Sequence, residues 1–94
     1  MSIAPIVELN RAVAVGMADG PEAALALVER LACEPALKSY HLLPSVRGDL
    51  LRKLGRHEEA CAAFEAAAAL TGNRREHDLL IRRAAEAAAA ANPD

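Results

Sequence analysis

The stretch Leu54–Leu70, LGRHEEACAAFEAAAAL, decides the fold class. It reads as the turn and second helix of a helix–turn–helix unit. Gly55 ends one helix, Arg56 and His57 cross over, and Glu58 and Glu59 open the next. Carboxylates suit the positive end of a helix dipole. Ala60 and Phe64 stand four apart on one face, with Ala67 three further on. A small residue followed by a large one lets a neighbouring helix come close and then fills the space beside it. One such unit cannot bury its apolar face alone, so the segment predicts stacked helical hairpins and a binding role rather than chemistry.

Working outward, the first helix runs from about Ala4 to Ala18, with Pro5 tolerated in its first turn. Ile6, Leu9, Val13 and Met17 form its apolar stripe, with Ala12 and Val15 on the adjoining side. Asp19, Gly20 and Pro21 break it. The second helix covers about Pro21 to Cys33, burying Ala24, Leu27, Val28 and Leu31 before Glu34 and Pro35 close it. A third begins near Ser39 as N-cap, or nearer Leu43 if Pro44 delays it, and ends near Leu54. Its apolar side is Leu43, Val46, Leu50, Leu51 and Leu54. The fourth spans about Glu58 to Leu70. Asn73 caps a fifth from Arg74 to about Ala91, packing through Leu79, Leu80, Ala84 and Ala87. The tail from Asn92 to Asp94 is expected to fray. No strand alternation runs beyond four residues, and the short links make successive helices antiparallel neighbours.

The first hairpin maps onto the second at a 36-residue shift. Arg11 falls on Arg47, Ala12 on Gly48, Val15 on Leu51, Ala24 on Ala60, Val28 on Phe64 and Leu31 on Ala67. The small–large order survives in both copies, as in tetratricopeptide-type arrays. The expected architecture is all-α: one domain over residues 1–94, with hairpins at 4–33 and 39–70 and a capping helix at 74–91.

Composition narrows the function. The 94 residues carry 11 basic and 13 acidic side chains for a net charge of −2, which is no footprint for nucleic acid or an anionic membrane. With one Tyr, one Phe and no Trp, a base-stacking platform for single strands is not expected. Alanine, 23 of 94, favours helices at close approach. Cys33 and Cys61 fit neither a metal spacing nor a disulfide framework. No leader pattern and no membrane-length apolar run is visible, so a cytoplasmic protein is expected.

Several side chains are candidates for sites. Arg11 and Arg47 each precede a small packing residue near a helix seam; each suits an interhelical ion pair or carbonyl clamp, or recognition of a partner. Tyr40 reads as an anchor between hairpins with its hydroxyl bonded to backbone. His41 lacks an identifiable partner that would make it a base. His57 and Cys61, four apart, supply two legs of a metal site and no more. Arg74, Arg75, Arg82 and Arg83 make a basic stripe diluted by Glu76, Asp78 and Glu86, with Asp78 and Arg82 placed for an ion pair. Neither a phosphate loop nor a nucleophile elbow is present, so no cofactor and no catalytic residue is expected.

The segments Pro5–Leu25, PIVELNRAVAVGMADGPEAAL, and Tyr40–Leu80, YHLLPSVRGDLLRKLGRHEEACAAFEAAAALTGNRREHDLL, carry a more specific signal. They resemble the C-terminal extension of a group of extracytoplasmic-function RNA polymerase sigma factors, over about Ile3 to Ala85. The resemblance implies a tetratricopeptide-like domain that regulates transcription initiation by contacting a protein partner or the rest of the parent factor. RNA polymerase and promoter binding would belong to upstream domains that this sequence lacks. Some tetratricopeptide domains clamp a partner's C-terminal carboxylate with Lys and Asn on the groove side of each repeat. Here those places hold Ile6, Leu9, Asn10 and Val13, then Leu42, Ser45, Val46 and Asp49, so only Asn10 fits and a chaperone-tail clamp is disfavoured.

The expectation is therefore a protein-interaction domain and not an enzyme. Its interaction residues are Asn10, Arg11, Tyr40, His41, Arg47, Asp49, Arg52 and Lys53. The alternative is a free-standing adaptor or self-associating module, with a homodimer as its simplest form. Direct contact with nucleic acid or membrane is not expected.

Overall fold

The computed structural model describes residues 4–92, and among these every long element is an α-helix. They are α1 (Ala4–Asp19), α2 (Pro21–Leu31), α3 (Leu42–Lys53), α4 (His57–Leu70) and α5 (Arg74–Ala91), with a one-turn 3-10 helix at Pro35–Leu37 before α3. The chain pairs α1 with α2 and α3 with α4, docks α2 on α3, and lays α5 along α4. Pro93 and Asp94 of the expected frayed tail lie outside the described residues.

Local chemistry sets the breaks. Gly20 alone separates α1 from α2, at φ 97°, a region glycine enters without steric cost. Pro21 follows at the first helical position. At the end of α3, Gly55 takes φ 78°. Its N–H donates to the Arg52 carbonyl at 3.0 Å, and the Arg56 N–H to the Leu51 carbonyl at 2.9 Å. This pair of bonds is a Schellman cap, which satisfies carbonyls the helix leaves open. The Glu76 N–H donates to Asn73 Oδ1 at 2.9 Å, capping α5 as expected.

The core is the small–large pattern in three dimensions. Ala12, Ala24, Val28, Leu51, Ala60, Phe64 and Ala67 are fully buried, and Leu9, Leu25, Leu37, Leu80, Ala84 and Ala87 nearly so. Gly48 is buried at the position that Ala12 holds in the first hairpin. The register also extends once more. Arg11-Ala12, Arg47-Gly48 and Arg83-Ala84 recur at equal spacing on α1, α3 and α5, and the small residue is buried each time. So α5 occupies the place of a first helix in a third repeat.

Several expectations are corrected. The buried side of α1 is Leu9 and Ala12, whereas Ile6, Val13 and Met17 are 40, 42 and 85% exposed. The stripe was rotated because α2 packs on the Ala12 side, where Gly16 allows approach: a Cβ there would lie 3.0 Å from Ala24 Cβ. Helix α2 stops at Leu31, and Leu25 rather than Leu27 or Leu31 is the additional buried residue. Ser39 is not an N-cap, since α3 starts at Leu42 and the turn at Pro35–Leu37 uses the preceding residues. On α5, Leu79 is 39% exposed, because α4 covers the Leu80–Ala84–Ala87 face.

Candidate functional site

The side of α1 left open by this packing does not face empty solvent alone. Val13 and Met17 of α1 meet Val46 and Leu50 of α3 across a groove of about 450 Å³. Asp49 and Lys53 line its α3 wall, and Arg83 reaches it from α5. The groove therefore runs along the first helices of the two hairpins and ends against the register-equivalent helix of a third. Leu50 is nearly buried, while Met17 projects freely.

Its polar groups are partly neutralised. Asp49 accepts from Arg52 Nη2 at 2.6 Å, and Lys53 Nζ lies at 3.2 Å. Burial pushes the Asp49 carboxyl up, but these two cations outweigh it and hold the pKa below the usual 3.8. Lys53 is thus shared with an internal carboxylate. Arg83 makes no ion pair among the described residues, which leaves its guanidinium for an occupant of the groove. Apolar walls with a few cations suit an apolar helix or strand bearing carboxylates.

Of the residues singled out from sequence, the groove unites Asp49 and Lys53 and not the others. Asn10 is exposed and does not line it. Arg52 reaches Asp49 from outside. Arg11 was expected at a helix seam; it pairs instead with Glu8 of its own helix at 3.5 Å and is 66% exposed. Among the described residues no carboxylate of another helix pairs with it. Arg47, its counterpart, has one: its Nε donates to Glu29 of α2 and ties the hairpins together.

Tyr40 and His41 lie far along the chain from the groove residues of α1 and serve another contact. The Tyr40 ring is part-buried against the core and meets the His41 ring edge-on at 5.9 Å. His41 Nε2 lies 2.7 Å from Glu76 Oε1 of α5, and Thr71 Oγ1 donates to that same oxygen at 2.6 Å. Glu76 is the partner the sequence did not reveal. The carboxylate sits between imidazole and hydroxyl, so His41 is not placed to take the Thr71 proton. The arrangement pins the start of α5 to the start of α3.

The remaining candidates are surface chemistry. Asp78 faces His77 at 3.3 Å, and the expected pair with Arg82 does not form. Arg56 binds Glu59 through two hydrogen bonds of 2.8 and 2.7 Å. Among the described residues no three His, Cys, Asp or Glu side chains gather to hold a metal. His57 Nδ1 is buried without a hydrogen-bond partner at the start of α4. None of the described helices is long and apolar enough to cross a membrane.

Comparison with known proteins adds one relative. An uncharacterized protein of Rhizobium meliloti (strain 1021) is 52% identical over 69 residues, which is 73% of this chain and 16% of that protein. The chain thus spans about a sixth of the curated relative it matches. No family model matches it, and no solved structure does.

Proposed function

We propose that the chain is a regulatory protein-interaction domain, the C-terminal extension of an extracytoplasmic-function sigma factor, and that its groove receives a protein segment. The occupant belongs to a partner or to another part of the parent protein. The groove between α1 and α3 carries this reading: apolar Val13, Met17, Val46 and Leu50 lie open beside Lys53 and Arg83. Support comes also from the long segments that resemble that extension and from the Rhizobium relative, in which the matching segment is a small part of a longer chain. On this reading the domain acts in the cytoplasm, performs no catalysis, and leaves polymerase and promoter contacts to other regions.

The test is affinity capture and promoter-dependent transcription with the parent protein, intact, lacking residues 1–94, or carrying Met17→Glu with Val46→Glu. Deletion and the double substitution are both expected to change the captured partners or the transcription level. An unchanged partner set together with unchanged transcription overturns the reading.

Self-association is a second reading, favoured by Met17 at 85% exposure beside the open Ile6 and Val13. Sedimentation velocity at several concentrations decides it, and a strict monomer removes it.

A further inference from the structure

The strap between Arg47 and Glu29 has a counterpart in the sequence that the structure does not make. Glu29 follows the buried Val28 on α2 and accepts from Arg47 of α3. At the 36-residue shift the same two places hold Glu65, after the buried Phe64 on α4, and Arg83 of α5. Among the described residues Arg83 and Glu65 form no ion pair, and neither do Arg83 and Glu86, the acid one turn further along α5. Arg83 lines the groove between α1 and α3 instead. The cations around that groove are therefore unequal. Arg52 and Lys53 share the Asp49 carboxylate, at 2.6 and 3.2 Å. Arg83 is exposed and has no acid within the fold. Three cations against one carboxylate leave the groove positive, beside the apolar Val13, Met17 and Val46.

We propose that Arg83 sets the specificity of the groove, and that the occupant is an internal protein segment whose Asp or Glu side chain pairs with Arg83 while neighbouring apolar side chains lie on Val13, Met17 and Val46. The inference rests on the groove reading and adds which residue selects and what it selects. Charge complementarity carries it. A guanidinium with no partner in the fold forms its ion pair with an arriving carboxylate without breaking an existing one, whereas Lys53 is already shared with Asp49. The planar fork of Arg takes a carboxylate through two parallel hydrogen bonds and so fixes its orientation, which a Lys ammonium does not. Apolar walls beside it exclude water and strengthen the pair. The acid is a side chain rather than a chain terminus. A terminal-carboxylate clamp would use Asn10, which is exposed and lies outside the groove.

The probe is a library of random 12-residue peptides, displayed without a free C-terminus and selected on the immobilised 94-residue chain. Peptides that bind the chain and fail to bind Met17→Glu with Val46→Glu are groove peptides, and these are expected to carry Asp or Glu among apolar residues. One of them, synthesised, is expected to bind Arg83→Gln about tenfold more weakly than the unaltered chain. Arg83→Lys is expected to recover only part of that loss. Replacing the peptide's acid by its amide is expected to cost as much on the unaltered chain and almost nothing on Arg83→Gln, the signature of a direct pair. Because Arg83 is exposed, its variants are expected to keep the native circular dichroism, which is checked first. Groove peptides with no acid, or with an acid whose contribution survives Arg83→Gln, overturn this inference and leave the groove reading standing. A library that yields no peptide dependent on Met17 and Val46 overturns both.

Discussion

Gly48 lies directly beneath the ring of Phe64: a Cβ built on it would stand 2.8 Å from Cε1 and 2.9 Å from Cδ1. In the first hairpin the same two places hold Ala12 and Val28, both fully buried. The two copies exchange volume across the seam, a smaller residue on one helix matched by a larger one on the other. Gly48→Ala gains about 1 kcal/mol of helix propensity but overpacks a full core at about 1–3 kcal/mol. The expected net effect is a loss of stability, read as a lower urea midpoint. Adding Phe64→Leu is expected to recover part of the loss, so the double variant is less destabilised than the sum of the singles. Strict additivity would show that the two residues do not press on each other.

Phe64→Ala leaves a cavity at the centre of the domain. Removal of a buried Phe costs about 3–5 kcal/mol, a large part of the roughly 5–15 kcal/mol that holds a domain together. The variant is expected to be partly or wholly unfolded at 37 °C by circular dichroism. Val28→Ala, which deletes less from the equivalent place, is expected to remain folded.

Helix α5 depends on its cap. Asn73→Ala is expected to lower stability by about 1 kcal/mol, and Asn73→Gly by only a few tenths. Faster hydrogen exchange at the Glu76 amide, the donor in this bond, is the local signature. A slow, unchanged amide in Asn73→Ala would mean that another acceptor replaces Oδ1.

Two carboxyls are held low by cations: Asp49 against its burial by Arg52 and Lys53, and Glu59 by Arg56. A carboxylate with a depressed pKa adds stability that is fully present above its unfolded pKa and is lost as the pH falls through the folded one. The urea midpoint is therefore expected to be flat near neutrality and to fall below about pH 4, near the ordinary carboxylate pKa. Asp49→Asn is expected to show a shallower acid limb. Parallel curves for the two proteins would show that the contact with Arg52 and Lys53 adds nothing.

The thiols differ in reach. Burial first, and then the charge of Glu65, push the Cys61 thiol up, whereas Cys33 is exposed. Native protein at about pH 8 is expected to alkylate at Cys33 well before Cys61, since the thiolate is the nucleophile. Denaturant should bring the two rates together. Equal rates in the native state would place Cys61 in a more open setting than α4 provides.

Five helices, the breaks at Gly20, Gly55 and Thr71–Asn73, and the pairing of Ala60 with Phe64 follow from local rules. Glycine at positive φ, a cap oxygen and apolar spacing act over one or two turns, so they are written in adjacent residues. The same locality explains why Glu76 was missed as the partner of His41. Thirty-five positions of chain separate them, and only the way α4 folds back carries one to the other. Arg11 and Arg47 share a motif and part company in space: Arg47 reaches Glu29 on the preceding helix, and Arg11 pairs with Glu8 of its own.

By itself, then, the order of residues determined the helices, their hairpins and the small–large seam. Which side of α1 is buried and where the groove beside Val46 and Leu50 runs were decided by tertiary packing. An apolar stripe states that a surface wants a cover, but the cover is another helix, and its position depends on how every intervening turn directs the chain.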